Sequence, residues 1–160
     1  MRTVLVFAVG IVVGLGIQSA VAQSPRPQVR INHVALSVKD LPSALKFYQD
    51  KFGFNEVIRN PNGMSAYIQV SRDTFIELQV ANAERPAGQI THFGFETPDI
   101  KMTVGQLRQR GLMVTDPGAP SAFSGGILAN ISDPEYGRIE LTEQPANGGK
   151  LRAASDAWKN

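Results

Sequence analysis

From Arg30 to Val38 the chain alternates, with Ile31, His33, Ala35 and Ser37 on one face and Val34, Leu36 and Val38 on the other. A period of two predicts a half-buried strand, so His33 points to a defined face. Asp40 is placed to cap a helix in which Leu41, Leu45, Tyr48 and Phe52 form one apolar stripe. Pro42 is tolerated in the first turn, and Gly53 suits a left-handed C-terminal position. Three short strands are predicted over 54–58, 64–70 and 74–80, with turns at 60–63 and 71–73. The unit reads strand, helix, strand, strand, strand.

The second half repeats that order. A strand over 90–96 leads to Pro98-Asp99, which opens a helix carrying Ile100, Val104 and Leu107 and stopped by Gly111. A short strand is expected over 112–115, then a loop over 116–124 rich in Pro, Gly, Ala and Ser. Strands over 126–131 and 138–142 complete the unit. His33 and His92 are 59 residues apart, as are Asp40 and Asp99. Ile76-Glu77-Leu78 and Ile139-Glu140-Leu141 are 63 apart, the drift that an insertion in a turn produces. The chain therefore reads as two copies of one unit, 30–82 and 89–143, in a single domain over 30–143. The tail, 144–160, is expected to be loosely ordered, with at most a short helix around Ala153 to Trp158.

The N-terminus changes the picture of location. Met1-Arg2 precedes an apolar run from Val4 to Ile17, too short for the roughly 20 residues that span a bilayer. Ala20-x-Ala22 is a small-residue cleavage pattern, so residues 1–22 are expected to be a secretory signal cut before Gln23, with 23–29 a linker. The mature chain would have 138 residues, 160 minus 22, enough to bury a core. An exported protein, periplasmic or secreted, is expected, with no stable membrane association after cleavage. The formal charge of +2 falls to +1 without Arg2, and the basic residues are scattered, so nothing points to nucleic acid. The chain has no cysteine, which removes disulfides, thiolate ligands and a thiol nucleophile.

The candidate chemistry lies in the repeat. A lone histidine on a strand is ordinarily a hydrogen-bonded core residue, and a lone strand glutamate ordinarily faces solvent. Here both histidines occupy the same place in the two units, on the first strand, and both Ile-Glu-Leu glutamates the same place on the fourth. If those strands are neighbours in a curled sheet, His33, Glu77, His92 and Glu140 converge. Two imidazoles and two carboxylates suit a divalent metal: Zn, Ni or Co, with Mn or Fe also possible. No Gly-x-Ser-x-Gly elbow, dinucleotide fingerprint or phosphate-binding loop is present.

The ordered set of stretches 33–41, 47–54, 75–78, 92–95 and 133–140 resembles the vicinal oxygen chelate superfamily, which includes glyoxalase I, methylmalonyl-CoA epimerase, extradiol dioxygenases and the fosfomycin- and bleomycin-resistance proteins. The resemblance covers roughly residues 30–143. It implies an α+β fold of paired βαβββ modules forming an open eight-stranded cup, with His33, Glu77, His92 and Glu140 at the four metal-ligand positions. A full His-Glu-His-Glu set is most similar to glyoxalase I, so a metal-dependent lyase or isomerase acting on a small oxygenated substrate is implied. Glu140 would be its proton carrier and Glu77 the counterpart on the opposite face. Positions where bacterial glyoxalase I enzymes hold glutathione are Ser37, Ala81 and Ser124 here, so that clamp is missing. The alternatives are an Fe(II) extradiol-type dioxygenase, for which no tyrosine stands in 127–131, and a non-catalytic small-molecule binding protein. A homodimer is a further possibility for such short paired-module chains.

Overall fold

The computed structural model describes residues 26–133, 135 and 137–159; the expected signal segment lies outside them. The chain runs β1 (Arg30–Val38), α1 (Leu41–Phe52), β2 (Asn55–Arg59), β3 (Ser65–Ser71), β4 (Thr74–Val80), β5 (Ile90–Glu96), α2 (Ile100–Gln109), β6 (Ile127–Asp133), β7 (Gly137–Glu143) and α3 (Lys150–Asp156). All seven strands join one open sheet in the order β2-β3-β4-β1-β5-β7-β6. Within each unit the first strand pairs in parallel with the last, β1 with β4 and β5 with β7. Antiparallel pairing of β1 with β5 joins the two units side by side. This is the expected α+β architecture of two repeated units.

The second unit departs in one detail. The strand expected over 112–115 is a single bridge, Val114 to Ile131, so the sheet has seven named strands rather than eight. Thr115 and Gly118 each still donate a backbone hydrogen bond to β6, at 2.9 Å. Pro117 and Pro120 have no N–H to give, and the ladder cannot continue through them.

One face of the sheet is covered by the helices. Asp40 caps α1 by accepting from the Ser43 N–H at 2.9 Å, and Gly53 closes it at φ 71°. Leu41 and Leu45 bury against Ala66, Ile68 and Leu78. The stripe does not stay buried: Tyr48 is half-buried and Phe52 is 58% exposed. Their rings instead stack with Phe54, at 6.4 Å from Tyr48 and 5.4 Å from Phe52. Asp99 caps α2 in the same way, and Ile100 and Val104 pack on Val114, Ala129, Ile131 and Leu141.

The opposite face is partly closed by the tail, which is better ordered than its composition suggested. α3 begins three residues earlier than the expected helix and buries Leu151 against Ile58, Tyr67 and Phe75. The Gln69 amide donates to the Ala154 carbonyl at 3.2 Å, fixing the helix to β3.

β1 is not regular. Ile31 pairs with Phe95 and His33 with Gly94, leaving Asn32 as an extra residue in a bulge. The bulge turns Ile31 outward, to 44% exposure, and buries Asn32 and His33 together. The His33 ring then lies on Gly94, where an added Cβ would stand 2.1 Å from the ring Cε1. Gly94→Ala is therefore expected to force the ring aside and to lower stability by about 1–3 kcal/mol, the usual cost of overpacking. Urea unfolding checks this, as a reduced midpoint at unchanged slope.

Candidate metal centre

The strand pairings bring all four sequence-predicted residues together. Ala35 is opposite Glu77 and Gly94 is opposite Glu140 in the two parallel ladders, so His33, His92 and both glutamates share the face away from α1 and α2. Each of the four is buried. His33 Nε2 and His92 Nε2 are 3.1 Å apart. Glu140 oxygens lie 3.8 Å from His33 Nε2 and 3.9 Å from His92 Nε2. Glu77 Oε2 lies 3.5 Å from His92 Nε2 and 4.0 Å from His33 Nε2. Among the described residues, His33, His92 and Glu140 form the group whose ligand atoms all fall within 4.8 Å of one another. Glu77 flanks that trio. One chain supplies every member.

Hydrogen bonds assign the ring nitrogens. The Asn32 amide nitrogen donates to Glu96 at 2.9 Å, so its oxygen must accept from His33 Nδ1, 3.0 Å away. That places the His33 proton on Nδ1 and leaves a lone pair on Nε2, facing the centre. Glu96 is itself held by Arg30 at 3.0 Å. His92 Nδ1 meets Thr91 Oγ1 at 3.2 Å and Arg138 Nη1 at 3.4 Å. Thr91 Oγ1 can accept from an Nδ1–H, the tautomer that leaves a lone pair on His92 Nε2 facing the centre.

Burial sets the protonation of the site. It lowers the His33 pKa to about 4, helped by the Arg138 charge, and the His92 pKa to about 3, helped by Arg138, His33 and Arg85. Both imidazoles are thus neutral at pH 7 and can act as ligands. Burial raises Glu140 to about 7, against the pull of Arg138 and with the push of Glu77. Burial also raises Glu77, opposed by hydrogen bonds from Gln79 and Tyr67 and by the Arg138 and Arg85 charges. The Tyr67 phenol, pushed well above its usual range by burial and by Glu77, remains protonated and donates to that carboxylate.

A divalent cation fits this arrangement. Ligand atoms of His33, His92 and Glu140 lie within 4.8 Å of one another with Glu77 beside them. Burial holds both carboxyl groups above their ordinary range, so bound positive charge would favour their ionised, ligating forms. The tyrosine, the Asn32–Glu96 pair and two arginines, Arg85 and Arg138, belong to the same site but were not among the predicted residues. Arg138 was legible: it precedes Glu140 by two positions on a strand and so shares its face. Tyr67 was visible only through register, because it pairs with Glu77 across β3 and β4. The three positions where a glutathione clamp was missing serve the backbone instead. Ser37 is buried and donates to the Pro86 carbonyl, Ser124 Oγ accepts from Gly126 at 3.2 Å, and the Ala81 N–H donates to Val38 at 2.8 Å.

No curated protein matches the chain. Among solved structures, methylmalonyl-CoA epimerase from Mycobacterium tuberculosis is similar at 22% identity over 84% of this chain and 99% of its own, with a TM-score of 0.63. A hypothetical protein from Bacillus halodurans C-125 is similar at 17% identity over 75% and 97%, with a TM-score of 0.61. A Streptomyces coelicolor methylmalonyl-CoA epimerase in complex with 2-nitronate-propionyl-CoA gives 19% over 73% and 98%, with a TM-score of 0.58. At these identities the likeness is one of fold. The sequence itself goes further: the model of the Glyoxalase/Bleomycin resistance protein/Dioxygenase superfamily matches residues 30–141, most of the chain and all four candidate ligands. The protein belongs to that superfamily, the vicinal oxygen chelate proteins.

Proposed function

We propose that this protein is a metal-dependent enzyme of the glyoxalase I type, a lyase or isomerase that moves a proton between adjacent carbons of a small oxygenated substrate. The observation that carries the reading is the convergence of two buried imidazoles and two buried carboxylates from repeated positions. Bound there, a divalent cation (Zn, Ni or Co before Mn or Fe) supplies Lewis acidity toward vicinal substrate oxygens. His33 and His92 hold it, with His33 oriented by Asn32. Glu77 is pinned by Tyr67 and Gln79 and keeps its place. Glu140 carries the proton in this reading: burial favours its protonated form, and Arg138 paired with it favours its ionised form. The M. tuberculosis and S. coelicolor neighbours are epimerases by name, and epimerisation too removes and returns a proton at carbon.

The His33, His92 and Glu140 trio also has the two-His-one-carboxylate composition of Fe(II) oxygenases. Glu77, 3.5 Å from His92, favours proton transfer over that reading. Oxygen uptake with a catechol would establish the dioxygenase, and metal-independent retention of a small molecule without turnover would establish a binding protein. We also propose export, on the segment 1–22. Among the described residues no helix is long and apolar enough to cross a membrane.

Three measurements test the reading. The metal-free protein is expected to bind one zinc per chain at micromolar concentration or tighter, and calorimetry showing no binding would reject a metal enzyme. Affinity should depend on pH with a defined sign. Glu140 must lose its proton to bind, so affinity falls about tenfold per pH unit below about 7 and levels off above it. The two histidines, already neutral, add to the fall only near pH 4 and below. Glu140→Gln should lower kcat by about 10²–10⁴-fold in a screen of methylglyoxal with several thiols and of methylmalonyl-CoA. It should also abolish exchange of substrate carbon-bound hydrogen with deuterated solvent.

A further inference from the structure

Two guanidinium groups have no part in carrying the proton: Arg138 touches the candidate ligands, and the charge of Arg85 reaches Glu77 and His92. Arg138 is held in place by three contacts. Its Nε donates to the Asn130 side-chain oxygen at 2.8 Å, its Nη1 lies 3.4 Å from His92 Nδ1, and its Nη2 pairs with Glu140. A guanidinium has five N–H bonds, so these contacts leave two. The side chain is 46% exposed although the Glu140 it pairs with is buried, so part of the group is open to solvent beside the candidate ligands. Arg85 comes from the segment joining the two units. It donates through Nη2 to the Val80 carbonyl at 3.1 Å, and its Nε is buried with no hydrogen-bond partner among the described residues. An unpaired buried guanidinium N–H is costly and calls for an explanation. The charges of both arginines act on the same two side chains, Glu77 and His92.

We propose that Arg85 and Arg138 together receive an anionic group, and that the substrate is a small oxygenated carboxylic acid whose carboxylate lies beside its metal-chelated oxygens. This rests on the proton-transfer reading above and narrows its substrate class. Charge counting supports it. Two ionised glutamates and two arginines cancel, so a divalent cation leaves the site with two positive charges in a buried setting. A dianionic ligand restores neutrality. The planar fork of a guanidinium matches a carboxylate, which accepts two parallel hydrogen bonds from it.

The test uses zinc-loaded full-length protein and two probes with vicinal oxygens. Oxalate is a dianion whose two outer oxygens stay free when it chelates; acetohydroxamate chelates but has no outer oxygen. Binding is measured by calorimetry in the parent protein, Arg138→Met, Arg85→Met and the double variant. Probe concentrations are kept where gel filtration shows that zinc stays on the protein. Loss of a charged hydrogen bond predicts that oxalate weakens by about tenfold to a hundredfold in each single variant and further in the double. Acetohydroxamate should change by no more than about twofold, and Arg138→Lys should fall between parent and Arg138→Met for oxalate. Bound zinc in each variant shows that the site is still folded. If zinc binds and oxalate is indifferent to both arginines, or if both probes weaken equally, the anion site is rejected while the metal centre stands. If the parent protein binds no zinc, the metal reading itself fails, and this inference fails with it.

Discussion

The antiparallel pairing of β1 with β5, with one residue too many on β1, is the constraint on which the site depends. The pairing sets His33 opposite Gly94, the one partner with no side chain in the way, so the imidazole can lie across the neighbouring strand toward His92. The extra residue sends Asn32 inward beside His33, where it fixes the tautomer. The glutamates follow from the two parallel ladders, since each last strand is registered on the first strand of its own unit. A slip of one residue in either ladder would turn a carboxylate to the helix-covered face. The geometry of four ligands is thus a property of strand register, and no loop contributes one.

That register collects like with like, and the electrostatic consequence is severe. Two carboxyl groups share a buried space with two imidazoles that burial keeps neutral. Burial favours the neutral form of each carboxyl and, with the push of Glu77, raises Glu140 to about 7. Arg138 relieves the strain in part by pairing with Glu140. It does so from the exposed side, where solvent weakens it, and it leaves Glu77 to neutral donors, Tyr67 and Gln79. Burial thus keeps both carboxyl groups toward their neutral forms, and a divalent cation bound to them would favour the ionised, ligating forms.

Much of this was legible in the chain. Strand alternation placed His33 inward, the Ile-Glu-Leu tripeptides put each glutamate opposite its apolar neighbours, and the matching positions of the two pairs implied one site. Side-chain period and internal repetition are local properties, and they survive into the fold. What was not legible came from non-local events. The bulge at Asn32 breaks the period that the strand otherwise obeys. The Tyr67–Glu77 contact exists only once β3 and β4 are registered. The burial of Leu151 depends on a surface assembled from β2, β3 and β4, so a tail rich in Ala, Gly and Asn gave little sign of it. The apolar stripe of α1 was read one turn too long, because the last turn finds aromatic neighbours in place of the sheet.

The four candidate ligands sit on strands whose register is fixed. The charge proposed to hold substrate is set in part by the same register, since Arg138 shares β7 with Glu140. Where a glutathione clamp would be anchored, Ser37, Ala81 and Ser124 close backbone hydrogen bonds and offer no charge. The positive charge of this chain stands elsewhere, on Arg85 in the segment between the units and on Arg138 two residues from a ligand. Ser37 helps place that segment, since its hydroxyl bonds the Pro86 carbonyl and accepts from the Gln89 N–H at 3.2 Å. The residue that stands where the clamp would be thus anchors the stretch carrying one of the two arginines. A large thiol conjugate would find no charge at those three positions, whereas the compact anion proposed above needs only Arg85 and Arg138.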